Sequence, residues 1–238
     1  MKKKNILFLG LLLSIVMPYS AFAMHIAEGF LSPFWCIVYF VLSAPFFFLG
    51  LKAINKKTSN NKDLKMLLAL VAAFCFVLSA LKLPSVSGSS SHATGTGLGA
   101  ILFGPFTMTV VASLVLLFQA LLLAHGGLTT LGANVFSMGV VGPIVSFLIY
   151  KLFKNKNKKI AIFLAAVLGD LSTYVITSIQ MGLAHSGGNF VNAFTKFISI
   201  FAITQLPLAI IEGIITVLIF EFIEKNSKNE LLELEEMA

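Results

Sequence analysis

The feature that most constrains this chain is a series of apolar runs, each long enough to cross a membrane as a helix. A helix needs about 20 predominantly apolar residues to span the hydrocarbon core of a bilayer. Runs of that length cover residues 34–54, 64–83, 105–124, 134–153, 160–182 and 197–222. Charged residues make up only 11% of the chain, against roughly 25% in soluble domains. The sequence therefore predicts an all-α fold, a polytopic membrane helix bundle.

The start of the chain has the three parts of a secretory signal peptide. Residues 2–4 are lysines, residues 6–17 form an apolar stretch, and residues 21–23 match the small-x-small cleavage pattern. We therefore expect residues 1–23 to be removed, so that the processed chain begins at Met24 on the outer side of the membrane. An uncleaved signal anchor is the alternative.

Lysine-rich connections set the predicted orientation. Residues 51–65 and 150–159 carry most of the internal lysines, and the positive-inside rule places both connections in the cytoplasm. Both can lie there only if the chain makes one crossing more than the long runs provide. The Gly104-Pro105 pair supplies it, because proline ends a helix and leaves residues 93–103 as a short separate segment. We predict about seven membrane segments, with the processed N-terminus outside and the C-terminus in the cytoplasm.

This topology divides the processed chain into a membrane-embedded capture domain, residues 24–225, and a polar cytoplasmic tail, residues 226–238. It also places every histidine at the outer face. The histidines are His25, His92, His125 and His185. We interpret His185 as a solvated loop residue and expect a binding site that opens to the outside.

A free N-terminus that reads Met24-His25 is a metal chelator. The α-amine of Met24, the deprotonated amide nitrogen of His25 and the Nδ1 atom of its imidazole close a five-membered and a six-membered ring around one ion. This nitrogen set suits Ni²⁺, Cu²⁺ or Co²⁺ and is poor for Mg²⁺ or Ca²⁺. The chelate requires cleavage immediately before Met24.

Two polar, glycine-rich stretches supply further candidates. His92 lies in residues 84–105, and a polar stretch at membrane depth is costly unless it lines a site. We expect His92 to be the fourth nitrogen donor. The candidates for orienting the ligands or closing the site are Ser91, Thr94, His125, Thr129 and Asn134. Ordinary loops with helix caps are the alternative for these residues.

Two carboxylates, Asp170 and Glu212, lie inside apolar runs, where they are energetically expensive and commonly functional. We expect them to gate the site or to dock a partner, and helix–helix hydrogen bonding is the alternative. Cys36 and Cys75 also lie in apolar runs, which is typical of buried cysteines without a disulfide. The chain has neither G-x-x-x-x-G-K-[ST] nor H-E-x-x-H, which argues against a P-loop ATPase and against a zinc protease.

Several long motifs together resemble one family. They read MHIAEGFLSP, SALKLPSVSGSSSHATGTGLGAILFGP and LLFQALLLAHGGLTTLGANVFSMGVVGP, with the region around Asp170 in addition. These motifs are similar to those of the CbiM/NikM family, the substrate-binding membrane components of energy-coupling factor importers for transition metals. The resemblance covers nearly the whole processed chain and is closer to CbiM, which serves cobalt, than to NikM, which serves nickel.

The resemblance implies that Met24, His25 and His92 hold one ion in a planar four-nitrogen site. Co²⁺, or alternatively Ni²⁺, would be bound as the transported substrate, with no catalytic cofactor. It further implies a non-enzymatic subunit in the bacterial cytoplasmic membrane that supports cobalamin biosynthesis. The implied partners are a small CbiN-like membrane subunit, a CbiQ-like transmembrane subunit and a CbiO-like ATPase. The alternative from another class is a membrane-embedded, metal-dependent enzyme that uses His92 and Asp170.

Overall fold

The computed structural model describes residues 22–23, 25–59, 61–84 and 89–237. Its helices are α1 (Pro33–Thr58), α2 (Lys62–Ala80), α3 (Thr96–Phe103), α4 (Pro105–Leu123), α5 (Leu131–Asn134), α6 (Gly142–Phe153), α7 (Lys158–Ala184), α8 (Phe190–Asn226) and α9 (Lys228–Glu236). A π-helical segment, Val135–Val141, joins α5 to α6. Three short strands are β1 (Phe22–Ala23), β2 (Leu83–Pro84) and β3 (Ser89–Ser91). Residues 1–21 of the predicted signal peptide lie outside the described residues, as does Met24.

The long helices confirm the predicted bundle. Within the described residues, six helical stretches are long and apolar enough to cross a membrane: α1, α2, α4, Leu131–Phe153, α7 and α8. Each overlaps one of the predicted runs, and the fold is that of a multi-pass membrane protein. Helix α8 is longer than the run 197–222, because its first turns contain polar residues. It begins after Asn189, whose side chain accepts a hydrogen bond from the Asn192 backbone N–H at 3.0 Å.

The short helix α3 lies at the centre of the bundle. Its eight residues are all buried, and at 1.5 Å per residue it extends only about 12 Å. The chain breaks at Gly104, which has a φ of +82°, and Pro105 then starts α4. Small residues let the neighbouring helices approach, since a Cβ on Gly97 would lie 3.0 Å from the Cα of Ala166. Protein therefore shields this segment, as a helix too short to span lipid requires.

The outer faces of the long helices carry large apolar side chains. Phe34 and Phe222 are each about two-thirds exposed, and Leu122 is 71% exposed. Exposed side chains of this size are expected where lipid rather than water covers the surface. Cys36 and Cys75 are buried and free, which confirms that they are not paired in a disulfide.

The C-terminal segment, predicted as a polar tail, contains helix α9. Its Leu231 and Leu234 are buried against the helical core. The Asn61 side chain donates a hydrogen bond to Glu233 Oε2 at 2.5 Å. The apolar side of α9 thus closes one end of the bundle.

The three strands lie at the approach to the histidines. Strand β3 is central, paired in parallel with β1 and antiparallel with β2. The β1 residues belong to the predicted signal peptide, so this pairing brings the chain just before Met24 alongside the strand that leads into His92. The predicted cleavage point is therefore close to the predicted fourth donor.

Candidate metal centre

Three imidazoles from distant parts of the chain meet in one buried cluster. The ring centroids of His25 and His92 lie 4.6 Å apart, those of His25 and His125 4.5 Å, and those of His92 and His125 5.0 Å. One nitrogen from each ring lies within 4.8 Å of the others. None of the three residues is more than 2% exposed. This spacing lets one ion contact all three rings.

A relay of polar side chains fixes the ring of His25. Ser79 Oγ donates to the Cys75 carbonyl at 2.6 Å, so it accepts from Gln119 Nε2, also at 2.6 Å. The other end of this amide, Oε1, therefore accepts the Nε2–H of His25 at 3.0 Å. Protonation of Nε2 leaves the Nδ1 lone pair for a metal, which is the atom that the chelate at the N-terminus requires.

The second imidazole, that of His92, has the opposite tautomer. Its Nδ1 lies 2.9 Å from the Ala93 carbonyl, and because a carbonyl only accepts, Nδ1 must carry the proton. Nε2 is buried and has no hydrogen-bond partner among the described residues. The backbone of His92 is held by Tyr174, whose hydroxyl donates to the His92 carbonyl at 2.8 Å, and by Gln205, whose Nε2 donates to the same oxygen at 3.2 Å. The fixed residue thus presents one free nitrogen to the cluster.

The third imidazole, that of His125, lies in the turn between α4 and α5. Neither of its ring nitrogens has a hydrogen-bond partner within the described parts of the chain, although the side chain is 1% exposed. The preceding residue, Ala124, is in the left-handed region at φ 46°, and Gly126 follows at φ 81°. A sharp turn therefore points this ring inward.

The segment that follows His25 is tied to the turn and helix at 127–134. The Ile26 backbone N–H donates to Asn134 Oδ1 at 2.8 Å, and the Ile26 carbonyl accepts from Asn134 Nδ2 at 3.1 Å and from Thr130 Oγ1 at 2.6 Å. The Glu28 carboxylate accepts from the backbone N–H and the hydroxyl of Thr129. These bonds fix the backbone next to His25 rather than its ring.

The segment that follows His92 is tied to α8 by a buried carboxylate. Glu212 accepts hydrogen bonds from the Thr94 N–H at 2.6 Å, the Gly95 N–H at 2.9 Å and the Thr94 hydroxyl at 3.1 Å. Asp170 accepts a hydrogen bond from Gln205, the residue that also holds the His92 carbonyl. Glu212 is 0% exposed and Asp170 is 1% exposed. Both carboxylates therefore face the site loop and not the outer surface of the chain.

Electrostatics keep the three imidazoles neutral. Burial lowers the pKa of His92 from 6.5 to about 4. Burial also lowers the pKa of His25 and of His125 well below the usual value, and the neighbouring imidazoles and Lys82 add to the effect. All three rings are neutral at pH 7, the form in which imidazole binds a metal. Nitrogen donors of this kind suit late first-row transition metals.

Comparison with known proteins assigns the family. The family model described as the cobalt uptake substrate-specific transmembrane region CbiM matches residues 25–230. The chain belongs to the CbiM family. Two curated relatives named cobalt transport protein CbiM are each 60% identical to it. The Clostridium tetani protein aligns over 97% of both chains, and the Thermosipho melanesiensis protein over 94% of this chain and 96% of its own.

Solved structures agree with this assignment. A crystal structure of a transition metal transporter has a TM-score of 0.77 and 29% identity, covering 88% of this chain and 96% of its own. A truncated transition metal transporter has a TM-score of 0.74 and 30% identity, covering 85% and 99%. This CbiM-family chain is a substrate-specific membrane component for transition-metal uptake and not an enzyme, so the enzymatic alternative raised from the sequence is wrong.

The predicted site residues of this CbiM-family chain separate into several groups. His25, His92 and His125 lie together, whereas His185 lies apart, with its Nδ1 3.3 Å from the Met181 carbonyl and its ring against Phe197. Ser91, predicted to orient a ligand or close the site, pairs with Thr204 at 2.7 Å and also bonds Tyr174, which holds the His92 carbonyl.

Sequence reasoning missed the residues that position the imidazoles. Ser79 and Gln119 orient the ring of His25, and Glu28, Thr130, Tyr174 and Gln205 hold the backbone at or beside His25 and His92. Gln119 and Gln205 are single amides within apolar runs. An isolated amide in such a run is a usable signal, because an amide at membrane depth requires a partner.

Proposed function

We propose that this chain captures Co²⁺ at the outer face of the bacterial cytoplasmic membrane and delivers it for ATP-driven uptake. One observation carries the proposal. The three imidazoles converge in a buried cluster. The hydrogen bonds of His25 Nε2 and His92 Nδ1 assign the proton to those atoms, so the opposite nitrogen of each ring carries the lone pair that a cation can bind.

The proposed ligand set is the Met24 amine, the amide and Nδ1 nitrogens of His25, and Nε2 of His92. Cleavage after Ala23 would create the amine. The unprotonated Nδ1 of His25 supports the six-membered ring of this chelate, since the proton on the opposite nitrogen is donated to Gln119. Removal of an amide proton requires a strongly polarising metal, which excludes alkali and alkaline-earth ions.

The loops around the cluster would close the site over the ion. Asn134 and Thr130 hold the backbone after His25, and Glu212 holds the backbone after His92. Because these hydrogen bonds connect the site to helices of the bundle, binding of the ion can alter how the helices pack. The buried position of Asp170 and Glu212 favours this site-closing role over direct docking of a partner.

The energy for uptake would come from partners, since the sequence has no ATP-binding motif. The family assignment supports CbiN-like, CbiQ-like and CbiO-like subunits in an energy-coupling factor importer that supplies cobalt for cobalamin biosynthesis. The lysine-rich connections support an N-terminus outside and a C-terminus in the cytoplasm. Ni²⁺ import by the same mechanism is the second candidate, because the proposed nitrogen set accepts both ions and the intrinsic affinity order favours nickel.

Uptake of labelled cobalt by cells that carry the complete transporter tests the proposal. Three variants are compared with the wild type: His92→Ala, one alanine inserted after Ala23, and His185→Ala as the matched histidine control. We expect the first two to abolish uptake at equal expression and the control to retain it, and unlabelled Ni²⁺ to compete less well than unlabelled Co²⁺. Normal uptake by the chain with the inserted alanine would contradict the chelate.

A further inference from the structure

His125 differs from the other two histidines of the cluster. His25 and His92 each use one ring nitrogen for a hydrogen bond, His25 to Gln119 and His92 to the Ala93 carbonyl. Among the residues that the structure describes, neither nitrogen of His125 has a hydrogen-bond partner, although the side chain is only 1% exposed. A buried donor–acceptor ring without partners is unfavourable and uncommon in native structures. Its position within the imidazole cluster indicates that a bound cation supplies the missing partner of the nitrogen that carries the lone pair.

The local backbone gives a second, independent observation. Ala124 is the non-glycine residue with a positive φ, 46°, within the described parts of the chain. Residues held in such sparsely populated conformations are concentrated at functional sites. Gly126 continues the turn, and a Cβ on it would lie 3.3 Å from the Cβ of His25. The strained turn thus packs directly on His25 and leaves little freedom for the ring of His125 to swing away.

We infer that His125 donates a further nitrogen to the bound metal, from outside the plane of the chelate, and that this donor selects Co²⁺ over Ni²⁺. The inference rests on the proposed function, in which Met24, His25 and His92 occupy the four positions of the plane. A nitrogen from His125 then has only an axial position available.

The numbers of d electrons in the two ions make an axial donor favourable for binding Co²⁺ and unfavourable for binding Ni²⁺. In a planar field of four strong nitrogen donors, Ni²⁺ has eight d electrons and fills the orbital that points along the axis, so an axial lone pair is repelled. Co²⁺ has seven, leaves that orbital half-filled and takes a fifth ligand readily. His125 would therefore strengthen cobalt binding and contribute little to nickel binding, against the intrinsic affinity order.

The direct test is electron paramagnetic resonance of the processed protein loaded with Co²⁺ under anaerobic conditions. One axial ¹⁴N ligand splits each cobalt hyperfine line along the axis into a triplet, and ¹⁵N-histidine converts the triplet into a doublet. We expect both patterns in the wild type. Absence of axial nitrogen splitting in cobalt-loaded wild type overturns the inference without the need for any variant.

Affinity measurements give a second readout. Equilibrium competition compares Co²⁺ and Ni²⁺ binding to the wild type, to His125→Ala and to the His185→Ala control. We expect His125→Ala to lose the triplet and to bind Co²⁺ at least about tenfold more weakly, with Ni²⁺ changed by less than about threefold. An equal loss for both metals means that the residue only positions the site, and this overturns the inference. If the wild type binds neither metal, the proposed function fails together with the inference. If it binds both metals but shows no selective loss in His125→Ala, only the inference fails.

Discussion

Glu212→Gln tests how far the buried carboxylate controls the metal centre. In the wild type, Oε2 accepts from the Thr94 N–H at 2.6 Å and Oε1 accepts from the Gly95 N–H at 2.9 Å. Glutamine has almost the same shape but only one acceptor oxygen, so its NH₂ group must face one of these two N–H groups. The substitution therefore leaves a buried donor without a partner and removes the charge from the remaining bonds.

The structure sets the size of the effect. A buried N–H left without an acceptor costs about 1–3 kcal/mol. The loop that would be destabilised includes His92, two residues before Thr94. If the whole cost opposes the conformation that binds metal, the dissociation constant for Co²⁺ rises by about 5- to 150-fold.

Isothermal titration of the purified protein in detergent measures this change, with thermal unfolding and gel filtration to verify the fold. Glu224→Gln is the matched control on the same helix, because Glu224 is exposed and forms a surface ion pair with Lys158 at 2.6 Å. We expect the control to bind like the wild type, since exposed ion pairs contribute about 0–1 kcal/mol. A folded Glu212→Gln protein with wild-type affinity would refute the positioning role.

Three further perturbations act on the imidazoles themselves. Gln119→Met removes the acceptor for the His25 Nε2–H and should weaken Co²⁺ binding about 10- to 100-fold. The control Gln180→Met, at another buried glutamine, should leave Co²⁺ binding unchanged. Equal weakening by both substitutions would exclude the role of Gln119 in fixing the His25 tautomer. Lys82 is a positive charge near the cluster and repels a bound cation. Lys82→Gln should therefore strengthen Co²⁺ binding at low salt, and this gain in affinity should shrink at high salt. A loss of affinity would contradict this electrostatic role of Lys82. Burial lowers the pKa of His92 from 6.5 to about 4, so between these values the unfolded chain binds more protons than the folded one. The metal-free protein should therefore lose stability as pH falls from 6.5 toward 4 and not above pH 7; thermal unfolding should show a weaker slope for His92→Gln, and an unchanged slope would contradict the assignment.

Local chemistry made much of the fold predictable. The apolar runs located the membrane-spanning helices, and the Gly104-Pro105 pair located the break before α4, because proline chemistry acts on its own neighbourhood. The helix ends were less accurate, as for α8, since a polar first turn hides a helix that a side-chain cap and packing can still stabilise.

Site residues could be predicted only where they lie within or next to a local sequence pattern. His25 follows the cleavage pattern and His92 lies in a polar loop, so both could be selected from the sequence. Gln119 contacts His25 across 94 positions of the chain, and Glu212 contacts Thr94 across 118. Such pairings depend on helix packing and leave no local pattern. For the same reason the sequence placed His125 only among the residues that orient the ligands or close the site, whereas the fold brings its ring next to those of His25 and His92.

The central claim is that the processed N-terminus chelates the metal through its amine and the following amide. Counting the protons released on Co²⁺ binding at pH 7 tests it most directly, by calorimetry in buffers of different ionisation enthalpy, on protein shown by mass spectrometry to begin at Met24. The amine is mostly protonated at this pH, the amide is fully so, and the buried imidazoles are already neutral. We therefore expect the release of about two protons per ion, whereas release of about one proton or fewer would rule out chelation by the amine and the amide together.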